Sequence, residues 1–464
     1  MNDTNAPNDP RTRLPSVSKL LDTPECQSYV ARYSRPIVLD AVRSVLDGYR
    51  NTLDKIEAVP GVEVVLEQTR LRLEEDSLDR LRPVVNATGI ILHTGLGRAV
   101  LPRQAAQALG QQDRCCNIQI DLASGLRGKR NYECQRLLCA LTGAEDALLV
   151  NNNAAATLLI LASLCAGKDV IVSRGQLIEI GGSYRLPDCV HQSGAHLVEV
   201  GTTNKTHLRD YEAALTEETG AILRVNPSNY RIVGFSKEVS IGELVSLKEK
   251  TPALVIDDLG CGALVDLTQF GLPHEPTVQE SVAAGADLVC FSGDKLIGGP
   301  QCGIIVGKKA LVQRIRKHPL TRMLRVCKLT DVALEHTLRL FLTPETLVAN
   351  NPTLRMLAAP VNELKSAAVL LKEQLDAAGT SFTVSVEAGE SAMGGGSLPA
   401  TPIPTCLLTV RDGGMSAERL SALLRRNEPP IIARIADDKV VFDMRTLLEG
   451  EAAIVLEALK RLSA

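Results

Sequence analysis

Tryptophan is absent from the 464 residues, aromatic residues make up 3%, and none of the twelve cysteines forms a C-x-x-C pair. Scarce aromatics argue against a platform on which nucleic-acid bases stack, and the missing C-x-x-C pair against zinc-ribbon and dithiol redox motifs. No apolar run of about 18 residues is free of charged or polar breaks, and the opening MNDTNAPNDPRTR lacks the apolar core of a signal peptide, so a cytoplasmic chain without membrane contact is expected. Charge of one sign is lacking too. A net charge of −3 provides no global basic field, and any RNA contact must be a local patch.

What is present is ordinary for a soluble globular protein: 45% hydrophobic and 23% charged residues. In such a chain most of the cysteines read as buried free thiols, with no metal site. At about 150 residues per domain the length allows about three domains. Residues 1–14 are polar and rich in Pro and Asn, and are expected to be mobile. From residue 18 to 80 apolar residues recur at spacings of three and four, as in PIVLDAVRSVLDGYR, which predicts two or three short helices. The expected divisions are a helical domain over 1–80, a large domain over 81–335 and a small α+β domain over 336–464.

The large domain reads as α/β. Short Val/Ile/Leu/Ala runs at residues 147–151, 169–173, 196–200, 221–225, 253–257, 287–292 and 303–307 alternate with amphipathic stretches, predicting a mostly parallel seven-stranded sheet covered by helices. Chemistry is then expected at the carboxyl ends of the strands. Farther on, FTVSVEAGE, CLLTVRDG, PIIARIADD and KVVFDMR read as strands, and Gly394-Gly395-Gly396-Ser397 as a flexible turn.

Four motifs carry chemistry. In FSGDKLIGGPQCGIIVGKK one lysine, Lys295, follows a buried strand and is surrounded by Ser292, Gly293, Asp294, Gly298, Gly299 and Pro300. Imine formation needs a positioned, neutral amine, so Lys295 is the candidate Schiff-base lysine of pyridoxal 5′-phosphate. In IDDLGCG, Asp258 is the candidate carboxylate against the pyridine nitrogen, where it makes the ring a better electron sink, and Asp257 is assigned to a turn or cap. In ALLVNNNAAATLLILASL a strand meets a helix. Asn153, Ala154 and Ala155 could hold the cofactor phosphate there, with Ser292 adding a hydroxyl, although helix capping alone would also explain the asparagines. Finally, Arg98 in LHTGLGRA and Arg322 and Arg325 in HPLTRMLRVCK supply guanidinium forks suited to an oxyanion, the last two on one face if that stretch is helical.

In this order, RPVVNATGIILHTGLGRA, TGAEDALLVNNNAAA, SRGQLIEIGGSYRLPD, VGTTNKTHLRDYE, DDLGCGALVDL and FSGDKLIGGPQCGIIVGKK resemble the bacterial selenocysteine synthases, the L-seryl-tRNA(Sec) selenium transferases. The resemblance runs from RLPSVSKLL to PIIARI. It implies a fold-type-I pyridoxal enzyme, a homo-oligomer forming a decameric ring, and a helical amino-terminal domain that grips tRNA. It further implies that Lys295 carries the cofactor, Asp294 is a neighbouring functional acid, and Arg98, Arg322 and Arg325 form the pocket for the phosphate of selenophosphate. The implied reaction dehydrates the seryl group of seryl-tRNA(Sec) to an aminoacrylyl group, to which selenium from selenophosphate adds. Gly95, Gln176 and Cys327 stand where the family pattern has Asn, Glu and commonly an acid.

Two other functions compete. A related pyridoxal-dependent lyase could act on a small amino acid or amino sugar acid, but the helical residues 15–80 favour tRNA. A non-catalytic RNA-binding scaffold would not need Lys295 in its glycine setting or Asp258.

Overall fold

The computed structural model describes residues 14–52, 58–77 and 79–463, and the chain divides into two compact units at Pro83/Val84. The mobility expected for residues 1–14 falls almost wholly outside the described residues.

The first unit is helical, with four helices where two or three were expected: Val17–Leu21, Pro24–Tyr33, Arg35–Arg50 and Val62–Ser77. Thr23 caps the second by accepting the Cys26 N–H, and Pro24 occupies its first turn, where no N–H is needed. Ser34, at φ 73°, breaks the chain between the second and third helices. Val38, Ala41, Val42 and Leu46 of the third helix and Val65, Leu66, Thr69 and Leu73 of the fourth are buried. That spacing of three and four makes one apolar stripe per helix, and the stripes meet in a core with Leu20, Leu21 and Cys26. Arg32, Arg35 and Arg43 are exposed, and among the described residues no ion pair engages them.

The second unit holds two sheets. The larger has seven strands in the order Asp146–Val150, Gly303–Gly307, Leu288–Ser292, Leu254–Gly260, Thr219–Val225, Asp169–Ser173, His196–Val200. All neighbours run parallel except Gly303–Gly307, which is antiparallel to both of its own. These are the seven strands expected from the sequence. Central strands are buried on both faces, which is why they read as unbroken apolar runs: Leu149, Val289, Phe291, Ile304 and Val306 enter the core on one side, and Leu148, Val150, Leu288, Cys290 and Ile305 the core on the other.

The smaller sheet has six strands, in the order Val85–Ala87, Ile431–Ala436, Lys439–Asp443, Ile403–Arg411, Thr383–Gly394, Ile90–Leu92. Its four carboxyl-terminal strands are antiparallel and backed by helices Val361–Ala377, Ala417–Leu424 and Glu451–Ser463. Both edges are closed in parallel by short strands from residues 85–92, so this segment, assigned from sequence to the large domain, hydrogen-bonds into the small sheet. A three-residue strand carries too little pattern to reveal a partner more than 300 residues away. No helix among the described residues is long and apolar enough to cross a membrane.

Candidate active site

Lys295 lies in the turn after strand Leu288–Ser292 and is 6% exposed. Leu296 and Ile297 anchor the turn in the core, and bonds from Gly298 N–H to the Lys295 carbonyl and from Gly299 N–H to the Gly293 carbonyl close it. A Cβ at Gly293 would sit 2.5 Å from Cys302 Sγ and 2.8 Å from the Pro300 oxygen, so the glycine is required by close approach of backbone. No hydrogen bond or ion pair among the described residues engages the Lys295 amine, an unusual state for a buried lysine.

Asp257 and Asp258 are separated by the alternation of the strand. Asp258 accepts from Asn153 Nδ2 at 2.7 Å and Thr157 Oγ1 at 2.9 Å. Burial raises its pKa, against the lowering effect of those two donors, the Gly260 N–H and the Lys295 charge. Asp257 is not a turn or cap. It lies within the strand, fully buried, and accepts from Arg224 Nη1 at 2.8 Å and Ser281 Oγ at 2.6 Å.

At the end of strand Asp146–Val150, Asn152 is the cap of helix Asn153–Leu164 and accepts the Ala155 N–H at 2.8 Å. The Asn153 side-chain amide is turned to Asp258. Among the described residues the backbone N–H groups of Asn153 and Ala154 are the donors of this helix end left without a partner, with the Ala155 N–H held by the cap. They form an anion site of the kind helix N-termini provide. Ser292 ends the neighbouring lysine-bearing strand and is buried, with its hydroxyl in no hydrogen bond among the described residues.

The arginines do not converge as expected. Arg98, held at φ 63°, donates from Nη1 to Asp294 Oδ2 at 2.7 Å, next to Lys295 in sequence. Arg322 and Arg325 are exposed and line a separate cavity of about 660 Å³ with Arg127, Lys129, Arg130 and Arg316, and neither Arg98 nor Lys295 belongs to its wall. Helix Pro319–Met323 ends before Arg325, and Leu320 and Leu324 pack onto the core, so the arginines face away from it. Gln176 is buried and accepts the Val225 N–H, a task for which a carboxylate would serve equally. Cys327 occupies the cap position of helix Lys328–Leu340, where the Thr330 N–H and hydroxyl hold its thiol below the ordinary value, consistent with an acid at that position in the family pattern.

Four further residues belong to the site. Thr157 is one helical turn beyond Asn153, and that i,i+4 spacing was legible in the sequence. Tyr184 has a buried hydroxyl without a hydrogen-bond partner among the described residues, and burial together with nearby Cys189 and Asp258 pushes its phenol up. Gly396 belongs to the run assigned to a flexible turn. Its carbonyl accepts from Cys261 Sγ at 3.4 Å, and a Cβ there would lie 3.0 Å from Ile180 Cδ1 and 3.9 Å from Lys295 Nζ. Cys261 itself is fully buried, with its thiol pushed up to about 12 by burial. The cysteines are free throughout, and Cys115, Cys116 and Cys327 are exposed rather than buried. No group of three potential metal ligands occurs among the described residues.

A seven-stranded sheet with one antiparallel strand, bearing a buried lysine, a buried acid and a free helix N-terminus at its carboxyl edge, defines a fold-type-I α/β enzyme. The solved structure of a D-glucosaminate-6-phosphate ammonia-lyase has this fold, with TM-score 0.57 and 22% identity over 82% of this chain and 96% of that one. Residues 84–448 match the family L-seryl-tRNA selenium transferase, and residues 13–50 match the selenocysteine synthase amino-terminal family. L-seryl-tRNA(Sec) selenium transferase of Carboxydothermus hydrogenoformans is 46% identical over 94% of both chains, and that of Moorella thermoacetica 46% over 96% of both. The chain belongs to the L-seryl-tRNA selenium transferase family.

Proposed function

We propose that this chain converts L-seryl-tRNA(Sec) to L-selenocysteinyl-tRNA(Sec), using pyridoxal 5′-phosphate as cofactor and selenophosphate as selenium donor. The observation that carries the reading is the unpartnered buried Lys295 amine beside Asp258 in a chain of this family. The residues fit the cofactor: Lys295 would bind its aldehyde carbon, Asp258 its ring nitrogen, and the N–H groups of Asn153 and Ala154 with the Ser292 hydroxyl its phosphate. When bound, pyridoxal phosphate supplies an electron sink for negative charge developing at the substrate Cα.

The chain's own groups do the rest. Asn153 and Thr157 orient the Asp258 carboxylate, and the low-dielectric surroundings strengthen its attraction for a protonated ring. Lys295 Nζ is the positioned base for the Cα proton. Asp294, oriented by Arg98, is the neighbouring acid. The net change removes the β-hydroxyl and the Cα proton as water; selenium then adds at Cβ, Cα regains a proton, and water cleaves the P–Se bond to release phosphate, so that a hydroxyl is exchanged for a selenol.

The basic cavity of Arg322 and Arg325 suits the donor's phosphate. A second copy of the chain would bring its arginines to a Lys295 site, in line with the ring-shaped homo-oligomer the resemblance implies. Exposed Ile120, Leu122, Leu126 and Met323 fit such an interface. Changing Arg322 to Ala should raise the KM for selenophosphate more than that for seryl-tRNA. Equal effects on both would assign the residue to folding.

The helical unit, with its exposed Arg32, Arg35 and Arg43, is the proposed tRNA-binding module of this cytoplasmic enzyme. Removing residues 1–83 should weaken tRNA(Sec) binding by about tenfold or more and leave the cofactor attached, as read by filter binding and visible absorbance. Unchanged RNA affinity would favour the small-molecule lyase.

A further inference from the structure

Beside Lys295 the structure holds a cavity of about 610 Å³, distinct from the basic one, lined by Ile90, Ser228, Asn229, Arg434 and most of residues 390–402. Gly396 is the boundary between cavity and lysine, since a Cβ there would lie 3.9 Å from Nζ. Three polar atoms of residues lining this cavity are buried without a hydrogen-bond partner among the described residues: Ser397 Oγ, Asn229 Oδ1 and Arg434 Nε. Ser397 is 4% exposed. A buried polar group left unmet is costly unless something fills it, so their convergence on one cavity marks a place for a ligand. Ile90, Met393, Leu398 and Pro399 supply the apolar part of the lining.

The electrostatics select among ligands. Arg434 places Nη2 at 3.1 Å from Asp443 Oδ2 and Nη1 at 3.3 Å from the Glu390 carbonyl. Asp443 is itself fully buried and fixed by Ser391 at 2.9 Å and Thr405 at 2.7 Å. The guanidinium is therefore neutralised and both of its terminal nitrogens are engaged, leaving Nε as its one nitrogen without a partner among the described residues. That suits an ester carbonyl or a ribose oxygen and gives no unpaired cation to the carboxylate of a free amino acid. In an aminoacyl ester the alcohol is attached two bonds from Cα. Whatever esterifies the serine must lie within a few bond lengths of the amine that Lys295 meets.

We propose that this cavity receives the 3′-terminal nucleoside of the aminoacylated RNA, its base against Ile90 and Leu398 and its ester and ribose oxygens at Arg434, Ser397 and Asn229. The pairing of Arg434 with Asp443 then selects esterified over free serine. This assignment rests on the function proposed above and names the subsite for its substrate.

The test compares holoenzyme binding of complete tRNA(Sec) with that of tRNA(Sec) lacking its terminal adenosine. Wild type is expected to hold the complete RNA about tenfold more tightly. Ser397→Ala and Arg434→Gln are expected to lose most of that difference, each leaving affinity for the shortened RNA unchanged. Ser397→Ala removes only an unpaired hydroxyl, so it serves where Arg434→Gln, which strands Asp443, fails to fold. No difference in wild type, or a difference that both variants retain, overturns the assignment. Selenocysteinyl-tRNA formation by the same wild-type preparation separates the two readings: its presence alongside that result leaves the function standing and removes only the nucleoside subsite.

Discussion

Lys295→Ala is expected to abolish both the yellow absorbance of bound cofactor and turnover. In the proposed mechanism this residue carries two tasks, anchoring the cofactor covalently and taking the Cα proton. Loss of the proton transfer alone is expected to lower the rate about 10²- to 10⁴-fold, and loss of the anchor adds to it. The fold should survive, because the Lys295 amine makes no hydrogen bond or ion pair with any described residue and the turn is held by Leu296, Ile297 and backbone bonds. Circular dichroism and visible spectra of the purified variant check this. A coloured, active alanine variant would remove Lys295 from the mechanism.

The adjacent aspartates should fail in different ways. Asp258→Asn keeps the shape and one acceptor for Asn153 or Thr157, but removes the charge that would face the ring nitrogen. Turnover should fall about 10²- to 10³-fold, the scale of losing one preorganised electrostatic partner, with little change in unfolding midpoint. Asp257→Ala should instead strand the buried Arg224 guanidinium, which Asp257 meets at 2.8 Å. Breaking such a pair costs about 3–5 kcal/mol, read as a lower denaturant midpoint with cofactor still bound in the folded fraction. Equal catalytic loss from both variants at unchanged stability would contradict the division of roles.

The seven strands of the large sheet were legible because each is buried on both faces and reads as an apolar run ended by Gly, Asn, Ser or Asp. Lys295 and Asp258 were legible for a related reason. Each sits at the carboxyl end of such a run, where a polar residue needs an explanation. What was hidden depends on segments far apart in sequence. Nothing local tells that Val85–Ala87 and Ile90–Leu92 close the edges of a sheet built from residues 383–443. Nothing local turns Asn153 toward Asp258 rather than leaving its amide at the helix end. Glycine at 394–396 signals backbone freedom in any sequence. Only the packing of Gly396 against Ile180, near Asn229 and Lys295, converts it into a wall of the site. The three arginines were grouped by the chemistry of their side chains, and the packing of Leu320 and Leu324 separates two of them from the third within one chain.

The most direct test is to incubate the purified full-length protein, loaded with pyridoxal phosphate, with seryl-tRNA(Sec) and selenium-labelled selenophosphate. Label should enter the aminoacyl group of the tRNA, dependent on Lys295 and absent when free L-serine replaces the seryl-tRNA. Unlabelled tRNA together with release of ammonia from a small amino acid or amino sugar acid would contradict the assignment and identify the chain as a lyase.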